Sequence, residues 1–153
     1  MRTVDELTER FRDQGLRVTP QRQAIFGLLQ GDASHPTVEA LYERARAAMP
    51  TISLKTVYQT LHDLEAMHEV ELIHLGTGSV RVDPNVEHAH HHLICTICGR
   101  VRDVLVDVRD LRLAARDRRG FRVADVEVHF RGVCEDCAAS AVTPNDQTMD
   151  NKE

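Results

Sequence analysis

Tryptophan is absent from this chain, and Phe and Tyr bring the aromatic share to only 4%. A core must therefore rest on Leu, Val, Ile and Ala. No run of 18 apolar residues occurs, so no segment is suited to cross a bilayer as a helix. The opening Met1-Arg2-Thr3-Val4-Asp5-Glu6 mixes acids with an arginine and carries no apolar signal core, so the expected location is the cytoplasm. No internal repeat is present, which excludes a solenoid. Cysteine is scarce, and the four that exist fall in two close pairs. In a reducing compartment such pairs are metal ligands rather than disulfide partners. An excess of positive charge is also missing: the net charge is −5, and residues 1–82 hold nine Lys and Arg against eleven Asp and Glu. Phosphate binding by bulk charge is thereby excluded. Any nucleic-acid affinity must come from local placement of a few cations, helped by bound divalent metal.

What is present, 153 residues at 42% hydrophobic and 28% charged, fits one medium domain or two small ones. Two small halves would each have a thin core, which makes a structural metal and a dimer interface physically useful.

Residues 4–13 set Val4, Leu7 and Phe11 at helical spacing before Gly15. A second helix opens at Thr19-Pro20, with Thr as cap and Pro in the first turn, and carries Ala24, Ile25, Leu28 and Leu29. Thr37 caps a third, which buries Val38, Leu41, Tyr42 and Ala45 and stops before Pro50. Ser53 caps a fourth, with Val57, Leu61 and Leu64 inward and Lys55, Thr56, Tyr58 and Gln59 around the outside. Glu71–His74, a turn at Gly76-Thr77-Gly78 and Ser79–Val82 read as a hairpin. Short helices followed by a hairpin make a winged helix-turn-helix over 1–82. Its last helix would enter the major groove, where Ser53, Lys55, Thr56, Tyr58 and Gln59 meet bases or phosphates. The same residues read equally as a solvated face with a half-buried tyrosine.

Residues 83–88, turn-rich from Asp83-Pro84-Asn85, form a hinge. Strands over His90–Cys95 and Val101–Val106, a helix over 108–119 closed by Gly120, and a strand over Val126–Gly132 then make a small α/β unit over 89–138. The whole is α+β. Residues 139–153 read as a disordered tail.

The strongest chemical signal is Cys95-x2-Cys98-Gly99 with Cys134-x2-Cys137. Each pair offers two thiolates to one ion, and two pairs complete a closed tetrahedral zinc site. A thioredoxin-like redox pair and a rubredoxin-like iron site are the alternatives. The second signal is His88-Ala89-His90-His91-His92. On a strand, His90 and His92 share one face and His91 and Cys95 the other. Asp83 and Asp103 are near enough in sequence to join His90 and His92 around Fe(II), Mn(II), Zn(II) or Ni(II). His35 reaches them only through the tertiary fold, and an exposed histidine run that binds nothing is the alternative.

Arg17-Val18-Thr19-Pro20-Gln21-Arg22, Ser34-His35-Pro36-Thr37, Thr56-Val57-Tyr58, Arg81-Val82-Asp83, the histidine run and the paired CxxC together resemble the ferric uptake regulator family over about residues 5–138. The resemblance implies a homodimeric winged-helix repressor that binds a palindromic DNA operator when a regulatory metal links its domains, with the α/β unit as dimerisation domain. It is most similar to the peroxide-responsive branch. There the regulatory ion sits on positions matching His35, Asp83, His90, His92 and Asp103. The iron-sensing branch usually has Glu in place of Asp83 and Arg in place of Gln59. By this resemblance Fe(II) at that site reacts with hydrogen peroxide, oxidises His35 or His90 and releases the DNA, whereas Mn(II) gives a peroxide-insensitive repressor. Phosphate contacts fall to Arg17, Arg22 and Lys55, with Arg17 a candidate for the minor groove.

Two departures matter. The stretch Glu87-His88-Ala89 is one residue longer than usual, which leaves the choice among His88, His90, His91 and His92 open. The family's frequent third metal site looks incomplete, since Val126 stands where a strand histidine is expected and His129 lies elsewhere. No third site is therefore expected. Competing functions are an iron-, manganese- or zinc-availability regulator of the same family, a zinc hydrolase, for which no HExxH motif exists, and a metal buffer, for which the helices of residues 1–68 would lack a purpose.

Overall fold

The structure, a computed structural model, describes residues 1–74 and 79–141. Four helices come first: α1 Val4–Asp13, α2 Pro20–Leu29, α3 Val38–Ala48 and α4 Leu54–Ala66. Each begins where a side-chain oxygen replaces a missing helical partner. Thr3, Thr19, Thr37 and Ser53 accept from the backbone N–H three residues on, and Thr3 with Glu6 completes a reciprocal capping box. The antiparallel hairpin of β1 Glu71–His74 and β2 Val80–Asp83 follows, with Leu72 opposite Val82. The expected turn at 76–78 lies outside the described residues. Leu7, Phe11, Ile25, Phe26, Leu29, Leu41, Val57, Leu61 and Leu64 are buried in one core with Val82 of the wing. Tyr42 and Tyr58 pack on its edge.

Two polar links position the wing. Val82 N–H donates to the Pro36 carbonyl at 2.9 Å, and Thr37 bridges Arg81. The loop holding His35 is thus clamped beside the end of β2, where Asp83 stands.

The C-terminal unit is a three-stranded sheet of order β4-β3-β5, with β3 His91–Cys95 central, β4 Val101–Val104 antiparallel and β5 His129–Gly132 parallel to it. His92 faces Asp103 on one neighbour and His129 on the other. Its core is thin, consisting of Ile73, Ile94 and Val101.

The strands are shorter than expected, and the helix expected over 108–119 is reduced to α5, Ala115–Arg118. Leu105, Leu111, Leu113, Phe121 and Val123 around it are exposed. A helix of three turns with nothing to pack against is marginal in water, which accounts for the shortening in a lone chain. After β5 the chain forms α6, Glu135–Ala141, which carries Cys137 and extends past residue 138. The remainder of the expected tail lies outside the described residues.

Candidate metal centres and DNA-facing surface

The four cysteines converge. One Sγ from each of Cys95, Cys98, Cys134 and Cys137 lies within 4.8 Å of the others, and Cys98 and Cys134 are 3.7 Å apart. The Cys95 knuckle turns because Gly99 N–H donates to the Cys95 carbonyl at 3.0 Å with Gly99 at φ +69°. At this φ any side chain would be strained, and a Cβ on Gly99 would also stand 3.2 Å from Arg81 Nη2, so that the arginine would have to shift. Backbone N–H groups of Cys134, Cys98 and Ile97 hold the Cys95 thiol down to about 5. Hydrogen bonds that the Cys137 thiol donates to the Cys134 and Cys98 sulfurs push its pKa up to about 12. Four crowded sulfurs therefore resist complete ionisation on their own, and a dication placed among them supplies the missing charge. The donor set fits zinc.

The second centre gathers residues from both halves. His35 Nε2 is 2.7 Å from Asp103 Oδ1 and 3.4 Å from Asp83 Oδ1. His90 Nε2 is 2.9 Å from Asp83 Oδ2, and His92 Nε2 is 3.4 Å from the same oxygen. The His90 and His92 Nε2 atoms are 3.2 Å apart. All five residues expected at the regulatory site thus meet. His88 stays exposed and offers its carbonyl to His90 Nδ1 at 2.9 Å, while buried His91 receives the Val128 N–H at 3.4 Å. The register left open by sequence is therefore occupied by His90 and His92. The His88 carbonyl keeps the His90 proton on Nδ1 and leaves Nε2 for the cluster.

His35 and Asp83 are fully buried and His92 is 1% exposed. Both ring nitrogens of His35 and Asp103 Oδ1 make no hydrogen bond among the described residues. These donors approach one another without hydrogen-bonding alignment, as atoms do when they aim at a common ion. Three imidazoles with two carboxylates suit Fe(II), Mn(II) or Zn(II). Burial opposes charge on Asp83, but the His35 and His92 imidazoles that face it at 3.4 Å and the hydrogen bond from the Asn85 N–H outweigh it and hold the acid well below the usual carboxylate range. Burial likewise opposes charge on His92, and the carboxylates of Asp83, Glu127 and Asp103 reverse it, raising its pKa.

Two residues escaped the sequence reading. Asn85 donates its backbone N–H to Asp83 Oδ1 and its Nδ2 to Asp103 Oδ2, each at 2.8 Å, so one asparagine aims both carboxylates. The Asp83-Pro84-Asn85 turn was its only signal. Arg81 donates Nη1 to the His35 carbonyl at 2.7 Å, which fixes a residue held at the unusual φ of +48°.

On the opposite side, Arg17, Arg22, Ser53, Lys55, Thr56 and Gln59 line one shallow depression between α2 and α4. Tyr58 lies apart from that depression, with its OH donating to Glu39 at 3.1 Å. Arg22 is engaged internally: Nη2 meets Asp63 Oδ2 at 2.5 Å, Nη1 donates to the Arg17 carbonyl at 3.1 Å, and the guanidinium lies over Phe11. Arg22→Ala should lower unfolding free energy by about 2 kcal/mol, since it strands a half-buried Asp63. A urea titration checks this, and an unchanged midpoint would place Arg22 outside the scaffold. Lys55→Ala should instead leave stability alone, weaken binding to all DNA sequences, and lower the salt-dependence slope by about 1. Fluorescence anisotropy at several salt concentrations reads that slope.

Residues 13–131 match the model of the ferric uptake regulator family. The chain belongs to that family. It is 32% identical over 135 residues to the peroxide-responsive repressor PerR of Staphylococcus aureus, covering 88% of this chain and 90% of that one. Its fold resembles the Helicobacter pylori ferric uptake regulator Fur, with a TM-score of 0.75 at 18% identity over 90% of this chain and 95% of that one. A zinc-bound manganese uptake regulator matches with a TM-score of 0.66 at 30% identity over 87% of this chain and 99% of that one. The chain is thus a metal-responsive regulator of the ferric uptake regulator family. That assignment leaves the hydrolase and metal-buffer alternatives without support.

Proposed function

We propose that this family member is a homodimeric, cytoplasmic repressor that binds a palindromic DNA operator when its regulatory site is metal-loaded, and that it senses peroxide through that site. The observation carrying the reading is the five-residue cluster of three imidazoles and two carboxylates. His35 lies in the winged helix of residues 1–82, Asp83 opens the hinge of 83–88, and His90, His92 and Asp103 lie in the unit of 89–138. One ion bound there fixes the angle between the halves, so occupancy sets the spacing of two recognition helices in a dimer. The exposed Leu111, Leu113, Phe121 and Val123 supply an apolar face for the second copy. Zn(II) belongs to the cysteines, and Fe(II) or Mn(II) to the histidines and aspartates.

Iron(II), when bound, supplies the electron that cleaves hydrogen peroxide beside the ligating imidazoles. His35, wholly buried, and His90, whose side chain is 7% exposed, are the rings that would be oxidised. Asp83 in place of glutamate and Gln59 in place of arginine support the peroxide reading, as does the similarity to the staphylococcal repressor. Regulation by manganese, iron or zinc availability is the second reading, favoured by the 30% identity to the manganese uptake regulator.

The deciding experiment is anaerobic operator binding by Fe(II)- and Mn(II)-loaded protein, before and after equimolar hydrogen peroxide, with mass spectrometry of the His35 and His90 peptides. The expected result is loss of binding in the iron form alone, with one added oxygen on a histidine. Unchanged binding and unmodified histidines would overturn peroxide sensing in favour of metal availability.

A further inference from the structure

The regulatory cluster uses one edge of the His92 ring, and the other edge meets a second set of donors. Asp103, His92 and His129 stand in register across β4, β3 and β5, so their side chains leave one face of the sheet. His92 Nε2 points toward Asp83. Nδ1, on the opposite edge, is 3.4 Å from Glu127 Oε1, and that oxygen also contacts His129 Nε2. The two imidazoles meet edge-on with centroids 5.8 Å apart. One donor atom from each of His92, Glu127 and His129 lies within 4.8 Å of the other two. Although nearly wholly buried, His92 makes no hydrogen bond through Nδ1 among the described residues. A buried nitrogen left so beside a carboxylate is costly unless something else satisfies it.

We propose that His92 Nδ1, Glu127 and His129 form a second seat for a divalent cation, back to back with the regulatory site. Two imidazoles and a carboxylate suit Zn(II) or Co(II), and exposed Glu127 opens the remaining coordination positions to water. No local pattern marks it, because Val126 interrupts the position where a histidine was sought, and Glu127 and His129 reach His92 only through the parallel pairing of β5.

The seat has a consequence for the switch, which rests on the regulatory reading above. Neutral imidazole has one lone pair. When His92 gives Nδ1 to the second cation, its proton resides on Nε2 and points to Asp83, and the regulatory ion loses a ligand. Excess zinc at the second seat therefore opposes metal-dependent DNA binding.

The test uses the full chain with zinc on its cysteines, titrated with Co(II) and followed by visible absorption and elemental analysis. His35→Ala removes a regulatory ligand without touching the second seat, and Asp103→Asn does so by a milder change should the first variant lose its structural zinc. Either variant is expected to take up one Co(II) beyond the zinc. Adding His129→Ala or Glu127→Gln should weaken that uptake at least about tenfold. The proposal is overturned if both regulatory variants, folded and zinc-loaded, bind no Co(II), or bind it equally with and without His129. Operator binding separates the two ideas: Mn(II)-dependent binding that ignores His35→Ala sinks the regulatory reading, while cobalt uptake that drops with His129→Ala still supports the second seat.

Discussion

Cys134→Ser is expected to reduce structural zinc from one per chain to near zero and to unfold the C-terminal sheet. Cys134 follows β5, and its N–H donates to Cys95 Sγ at 3.3 Å, so it joins the last strand to the knuckle after β3. Among the described residues the apolar cluster of that region holds only Ile73, Ile94 and Val101, and Ile73 belongs to the hairpin. Burying three such side chains is worth on the order of 5–8 kcal/mol before conformational entropy is counted. Structural zinc in small domains contributes roughly 10–16 kcal/mol. Metal therefore outweighs packing here, and removing one thiolate should leave β3–β5 without its main support. Helices α1 to α4 should survive, because their core holds fifteen buried residues of its own. Circular dichroism should retain most of its helical signal while near-stoichiometric zinc, and with it the proposed dimer, is lost. A variant that keeps one tightly bound zinc and its dimer would remove the four-cysteine centre from the folding of this unit.

The helices were readable because their signals are local. Thr3, Thr19, Thr37 and Ser53 each precede an apolar stripe of helical spacing, and in each case the hydroxyl accepts the expected N–H. The residues of the histidine and aspartate cluster were expected from the resemblance, with His90 and His92 also marked by strand alternation, and the fold brings them together. His35 joins them only because Pro36 and Thr37 bond to β2, a contact that no local pattern reports. The same holds for β5, whose parallel pairing joins residues 37 positions apart and begins at His129 rather than Val126. The helix expected over 108–119 failed for the opposite reason. Its residues carry adequate propensity, but Leu111 and Leu113 find nothing to pack against, and burial decides whether a short helix persists. Arg22 illustrates a third limit: a cation in a recognised motif looks available for phosphate until the fold supplies Asp63.

Asp83→Asn should abolish metal-dependent operator binding while leaving the structural zinc and the fold in place. Asp83 is fully buried and approaches three imidazoles, with Nε2 of His90 at 2.9 Å and of His35 and His92 at 3.4 Å. Its depressed pKa keeps it anionic across neutral pH, so it would bring a full negative charge to an ion held at this site. Asparagine preserves the volume and can still accept the Asn85 N–H, but it removes that charge and one anionic donor. Changing outer partners of a metal ligand costs 10–100-fold in affinity, and a buried anionic ligand should cost at least about 100-fold. Under the proposed function one ion would hold both halves, which would couple metal affinity to DNA affinity, and a site left empty would return the chain to its unrestrained domain angles. Calorimetric Mn(II) titration and operator anisotropy should therefore fail together, at Mn(II) concentrations that saturate the unaltered protein. Raising Mn(II) by the lost factor should restore DNA binding, since the variant weakens occupancy rather than the surface formed by Lys55, Thr56 and Gln59. DNA binding that persists within about twofold at low Mn(II) would detach Asp83 from the switch, and loss that no Mn(II) concentration rescues would assign it a role in holding the wing itself.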